Sequence, residues 1–369
     1  MKKLNRRNYK WWHKLILAIS ATVIFLLILE GVSTIIVNLG AFPSLITKEF
    51  RINKYTMMDF DTIFYNRPNS DYYRNMDFGV TNHYKTNSQG YRDEEELRPD
   101  KPNDEIRILC IGDSSTYGLN VDQDQTFPAQ LQGILNQRRW EGSYKVINAG
   151  CPGFSSFQAM RLLETRGRST QPDIIILSVG VNDSGTVRQS DVENDYHNAP
   201  LPFLRRMFFQ TNSYYFLSNL IGQIRLQMPG YRNKKQFRPR VFEYEFESNL
   251  RTCIKIAQSL KARMIFCSIS VPINYLEAMK RVAEEEGITM VNAEDALFRI
   301  LPLIGGSISE YGGQKMRKLT QLEDPRGSVY GYCEKSIAIR QDNRLMDDFI
   351  HPNPIGYRAI AEDISVLIP

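Results

Sequence analysis

Ile108-Leu109-Cys110-Ile111-Gly112-Asp113-Ser114-Ser115-Thr116-Tyr117-Gly118 sets an unbroken apolar run against a small polar turn that carries a serine. The run has the length and composition of a buried strand, and Gly, Asp and Ser are ordinary turn residues. The stretch therefore reads as a strand handing the Ser114 hydroxyl to a cleft. A Gly-Asp-Ser turn is by itself a common way to end a strand, so other parts of the chain decide whether this one carries chemistry. Near the far end, Asp348-Phe349-Ile350-His351-Pro352 places a carboxylate three residues before an imidazole. At that spacing the acid can hold the ring in one tautomer and orientation. Ser114 is read as nucleophile, His351 as base and Asp348 as the acid behind it. Asp347 ranks second, being one residue further from His351.

Two further apolar strands end in polar groups. Val146-Ile147-Asn148-Ala149-Gly150-Cys151-Pro152-Gly153 runs into a loop whose glycines allow close backbone approach and offer a free N–H. Ile174-Ile175-Ile176-Leu177-Ser178-Val179-Gly180-Val181-Asn182-Asp183 ends in a side-chain amide. Three strands thus each deliver one polar group at their C-terminal ends, the edge of an open parallel sheet where ligands bind.

Taken in order, Gly-Asp-Ser114, Gly153 after Asn148, Asn182 in Gly-Val-Asn-Asp and His351 in Asp-Phe-Ile-His resemble the four blocks of the SGNH (GDSL) hydrolases. The resemblance spans roughly Ile106 to the C-terminus, with a long poorly matching insert after Asn182. Ser115 stands where the family name has Leu. The resemblance implies a three-layer α/β/α, flavodoxin-like fold around a parallel five-stranded sheet. It also implies acyl-enzyme chemistry by Ser114, His351 and Asp348, with an oxyanion hole formed by the Ser114 N–H, the Gly153 N–H and the Asn182 amide. No Gly-x-Ser-x-Gly elbow occurs, which argues against the α/β-hydrolase alternative.

The periodicity of the remaining chain agrees with alternating strands and helices. Phe127, Leu131, Ile134 and Leu135 recur at helical spacing after the start signals Thr126 and Pro128, and a second helix is expected over Phe157–Gly167. Further on come a helix with Leu250, Cys253, Ile254, Ala257 and Leu260 on one face, the strand Met264–Ile269, a helix stopped by Gly287, and the strand Ile288–Val291. Asn353 and Pro354 start a last helix. The long loop from Gly305 to Leu345 is a candidate wall of the acyl or acceptor pocket. Before Ile106, residues 41–104 are polar and aromatic-rich, with Asn87-Ser88-Gln89-Gly90 between Tyr84 and Tyr91 as an expected hairpin turn.

Leu15 to Val37 is a nearly unbroken apolar run of about the length that crosses a bilayer core as a helix, with Glu30 its only charge. Lys2, Lys3, Arg6, Arg7, Lys10 and Lys14 precede it, which places residues 1–14 in the cytoplasm and the catalytic domain outside the membrane, periplasmic or at the cell surface. The competing reading is a cleaved signal peptide, for which Ala41, with Leu39 two residues earlier, is a poor cleavage site. Glu30 is expected to reach for the headgroups.

The 369 residues, 42% hydrophobic and 24% charged, suit one large domain with appendages, and the net charge of +5 gives no case for nucleic-acid binding. Cys110, Cys151, Cys253, Cys267 and Cys333 show no metal-ligand spacing and no disulfide framework, and no cofactor or metal is expected. The insert, about 184–240, holds an amphipathic stretch around Tyr214–Gln227 and basic clusters at Arg205-Arg206 and Arg232–Arg240. It reads either as a lid or a surface for anionic headgroups or an acidic polymer, or as a solvated face. Ester chemistry outside a membrane points to an esterase removing acetyl or other short O-acyl groups from a glycan. An O-acyltransferase using the same residues is the rival, with a lipase or a non-catalytic assembly protein behind it.

Overall fold

The structure, a computed structural model, describes residues 11–38, 55–75, 81–138, 142–187, 190–198, 200–209, 211–227, 238–300, 322–323, 329–330, 345–346 and 350–369. The expectations for the basic tail, Ala41, Arg232–Gln236, Cys333, most of the 305–345 loop, Asp347 and Asp348 fall outside these residues. The chain divides into two compact units, Met1–Ile52 with Ala199–Lys234, and Asn53–Asn198 with Lys235–Pro369.

The larger unit carries the sheet. After two antiparallel pairs, β1 (Thr56–Asp59) with β2 (Ile63–Asn66) and β3 (Asp71–Asn75) with β4 (Thr81–Lys85), comes β5 (Glu105–Gly112), which runs into the one-turn helix α2 (Ser114–Tyr117). There follow α3 (Phe127–Asn136), β6 (Ser143–Asn148), α4 (Ser156–Thr170) and β7 (Ile174–Ser178). Beyond the insert lie α7 (Glu243–Ser259), β10 (Arg263–Ser268), α8 (Ile273–Glu286), β11 (Thr289–Asn292), α9 (Ala293–Ile300) and α10 (Pro354–Val366).

These strands form one parallel sheet in the order β11-β10-β7-β5-β6. The chain leaves β5 for β6 on one side and then crosses to β7 on the other. The order therefore reverses at β5, and a crevice opens outside the carboxyl ends of β5 and β7.

Strand alternation assigns the two faces. Ile108, Cys110, Val146, Ile174, Ile176, Ile265 and Cys267 share a core with Phe127, Leu131 and Leu135 of α3 and Tyr357, Ile360 and Ile364 of α10. Leu109, Ile111, Ile147, Ile175, Leu177 and Phe266 are buried on the opposite face, which α4, α7 and α8 cover. Each such aliphatic side chain contributes roughly 1.5–3 kcal/mol, which is why the Ile-Leu-Cys-Ile run of β5 and the Ile-Ile-Ile-Leu run of β7 are interior strands of the sheet. The helix starts follow the sequence: Thr126 caps α3 and the Asn353 side chain caps α10 through the Ile355 and Gly356 N–H groups.

One local expectation differs. A turn does form at Asn87–Gly90, closed by the Asn87 N–H donating to the Tyr91 carbonyl, with Gly90 at φ +79°. Yet β4 pairs with β3 before this turn, and Tyr91 goes into the core instead of continuing a hairpin.

The insert leaves and rejoins the larger unit through a short antiparallel ribbon, β8 (Thr186–Val187) with β9 (Arg238–Pro239). The smaller unit holds α1 (Trp11–Asn38), α5 (Pro202–Phe208) and α6 (Asn212–Gln227). Among the described residues α1 is the one helix long and apolar enough to cross a membrane.

Candidate active site

The turn at the end of β5 is shaped by its neighbours. A Cβ on Gly112 would lie 2.3 Å from the Ser178 carbonyl oxygen of β7, so only glycine lets the two strand ends approach. Asp113 caps α2, its carboxylate accepting from the Ser115 N–H at 2.8 Å. Ser114 is then the first residue of a helical turn, where its N–H has no acceptor within the helix. Gly118, at φ +80°, ends the turn.

Arg92 braces the far side of this turn, where a cation complements exposed carbonyls. Its guanidinium donates to the carbonyls of Tyr117 (2.6 Å), Gly118 and Val121 (2.7 Å) and stacks against Tyr84 and Tyr117. A buried Arg packed against two stacked tyrosine rings is a role the linear sequence did not signal.

His351 reaches the same point from the other end of the chain. Its Nε2 lies 2.8 Å from Ser114 Oγ, and both residues are 8% exposed. The loop that carries it is tied down at both ends. The Ser270 hydroxyl donates to the Ile350 carbonyl, and the Asn353 N–H donates to Leu345 at 2.8 Å. Asp348, expected behind the ring, lies outside the described residues.

Gly153 sits in the loop after β6 at φ +91°, a left-handed conformation that favours glycine. The loop is held by Cys151 N–H donating to Gly112 and by Asn66, whose amide donates to Gly150 at 2.8 Å. The Asn182 amide donates to the Phe154 carbonyl at 3.0 Å and lies 3.5 Å from an Asp113 carboxylate oxygen. The structure thus joins Ser114 to His351 directly, and Asn182 to the turns that carry Ser114 and Gly153.

Behind the Gly153 loop lies a polar network that the sequence reading missed. Arg240 donates through Nε to Asp191 at 2.8 Å and through Nη1 to the Gly153 carbonyl, with both charged side chains largely buried. Asp191 also accepts from the Ser155 hydroxyl, at the start of α4. Next to it the fully buried Asp183 accepts from the Ser156 N–H at 3.0 Å and from its hydroxyl, while Asn249 donates to that same hydroxyl. Burial pushes the Asp183 carboxyl up to about 7, against the Ser156 bonds and the nearby Arg240 charge, which lower it. In the sequence Arg240 belongs to the basic cluster Arg232–Arg240. Its position just after β9 is what turns it inward, and Arg238 beside it pairs with Glu193.

Other chemistry-bearing residues are occupied elsewhere. Cys110, Cys151, Cys253 and Cys267 are buried thiols with no disulfide among the described residues, and burial raises the thiols of Cys253 and Cys267 to about 12. His83 pairs with Asp71 and His197 with Asp61. Among the described residues no group of three His, Cys, Asp or Glu side chains is arranged to hold a metal ion.

Comparison with known proteins adds the following. The model of the GDSL-like Lipase/Acylhydrolase family matches residues 110–359. An acetylxylan esterase of Xylanibacter ruminicola is 33% identical over 89 residues, covering 23% of this chain and 18% of that protein. The chain thus matches about a fifth of that relative's length. Among solved structures, the acetylxylan esterase Axe2 from Geobacillus stearothermophilus is 17% identical with a TM-score of 0.39, covering 70% of this chain and 92% of that one. The psychrotrophic esterase EstA from Pseudoalteromonas sp. is 14% identical with a TM-score of 0.39, covering 70% and 93%.

Proposed function

Since the chain belongs to the GDSL-like lipase/acylhydrolase family, we propose that it is a serine esterase that removes acetyl or other short O-acyl groups from a glycan outside the membrane. The observation that carries this reading is the 2.8 Å contact between Ser114 Oγ and His351 Nε2 at the crevice where the sheet order reverses.

A serine hydroxyl is a weak nucleophile until a base within hydrogen-bond reach takes its proton. His351 Nε2 takes that proton as Ser114 Oγ bonds to the acyl carbon. Charge then develops on the carbonyl oxygen, which the Ser114 and Gly153 N–H groups and the Asn182 amide are assigned to stabilise. His351 returns the proton to the leaving sugar oxygen, and water, activated by the same ring, releases the acyl group. Asp348 is assigned to stabilise the imidazolium.

The acetylxylan esterase likeness supports an acetylated carbohydrate as substrate. The apolar surface of α1 and the basic residues before it support a single membrane anchor, N-terminus inside and catalytic unit outside. The test is the full chain in detergent, assayed on an aryl acetate and on acetylated xylan beside Ser114→Ala. Acetate release from both, lost in the variant with its thermal midpoint unchanged, is the expected result. Equal rates in the two proteins would overturn the assignment.

A further inference from the structure

Glu30, the one charge in the apolar run, is bound by the start of α6. The Asn212 N–H donates to its Oε1 at 2.8 Å and the Ser213 N–H to its Oε2 at 2.9 Å. Asn212 also donates from its side-chain amide to Thr34 Oγ1 at 2.9 Å, while the Thr34 hydroxyl donates to the Glu30 carbonyl. The carboxylate therefore does not reach for headgroups, as the sequence suggested. It caps a helix at whose N-terminus the peptide dipoles favour negative charge.

We propose that residues 201–227 are a second membrane-embedded element, a pair of short helices clamped to the anchor by Glu30 with their apolar side in the hydrocarbon of the outer leaflet. The inference rests on the proposal that α1 spans the membrane. Glu30 lies seven residues before Val37, about 10 Å along the helix axis from the outer end of the apolar run. The start of α6 is at that depth too. An unpaired carboxylate and unpaired N–H groups are each unfavourable in hydrocarbon, and this contact pairs them with one another.

The rest of the segment fits the same solvent. On α6, Leu217, Ile221 and Ile224 stand exposed at i, i+4 and i+7, one face of the helix. On α5, Phe203 and Met207 are exposed four residues apart, at 74% and 60%. An apolar surface of this kind, on the unit whose α1 is itself bare and apolar, marks lipid contact. Arg205 donates to the Tyr214 hydroxyl at 2.7 Å, and Arg206 beside it is exposed. Their positive charge suits phosphate headgroups above an apolar face.

The test uses the full chain in liposomes of phosphatidylethanolamine and phosphatidylglycerol doped with a phosphatidylcholine bearing a photoreactive diazirine in its acyl tail. After irradiation, adducts are mapped on recovered peptides. Adducts in both 15–37 and 203–224 are expected, with labelling of 203–224 falling severalfold in Glu30→Ala while that of 15–37 stays constant. Adducts in 15–37 alone, with 203–224 recovered unmodified, would overturn the inference and leave the anchor standing. Adducts in neither would overturn both, and equal labelling of 203–224 in Glu30→Ala would overturn the clamp.

Discussion

Replacing Arg240 by Met removes two functions that one further substitution separates. Arg240 and Asp191 have side chains 12% and 6% exposed, and their contact is 2.8 Å. Removing one partner of a buried ion pair is destabilising by about 3–5 kcal/mol, because the other charge stays buried. At roughly 2–4 °C per kcal/mol for a domain of a couple of hundred residues, the melting temperature should fall by about 6–20 °C. Arg240→Met also frees the Gly153 carbonyl. If the Gly153 N–H is an oxyanion donor, misplacing it lowers kcat by up to the 10²–10³-fold seen when one donor is lost, with KM for a small aryl acetate little changed. In Arg240→Met/Asp191→Leu no orphaned charge remains, so most of the melting temperature should return while kcat stays low. Thermal unfolding and steady-state kinetics on all four members of the cycle give both couplings. A single variant with kcat within twofold of the parent, or a double variant that regains kcat along with stability, would refute the positioning role.

Two more outcomes follow from the site. Asn182→Ala should lower kcat about 10²–10³-fold, while its lost bond to Phe154 removes only about 1 kcal/mol of stability; a large stability loss with kcat retained in the folded fraction would make Asn182 structural. Asp183 has a folded-state pKa near 7, above its ordinary 3.8. The folded state therefore holds its proton more tightly than the unfolded one, and this contribution is full below about pH 4 and lost as pH rises through 7. Asp183→Asn keeps a donor and an acceptor beside Ser156 but does not titrate. Urea unfolding at pH 4.5 and 7.5 should show the variant gaining on the parent by about 3 kcal/mol between the two, and parallel pH profiles would contradict the assignment.

The five-stranded sheet was legible from local signals, and the Ser114–His351 pair, 237 residues apart, from the order of the motifs that resemble the SGNH blocks. Long aliphatic runs mark the buried strands, and the turn residues after them mark the edge. What was not legible depends on distant pairing. Arg240 looks solvated in the run Arg232–Arg240 until β9 pairs with β8, which brings it beside Asp191 and Gly153. Arg92 is an ordinary surface residue by composition, and becomes a buried brace only when it packs against the stacked pair Tyr84 and Tyr117. Glu30 has a partner 182 residues away, and no periodicity in α1 announces it.

The two-pair ribbon of β8 and β9 separates how the insert varies from how the catalytic unit holds together. With Thr186 registered on Pro239 and Val187 on Arg238, the insert departs from and returns to two points that are already fixed. Lengthening a flexible connection between fixed points is inexpensive, about 0.6 kcal/mol for each doubling, so the insert is free to drift in length outside α5 and α6. A one-residue slip in the ribbon itself is a different matter, because it would carry Arg240 away from the Gly153 carbonyl. In a lineage of such chains, length changes should collect between β8 and β9, outside α5 and α6, and stop sharply at the ribbon.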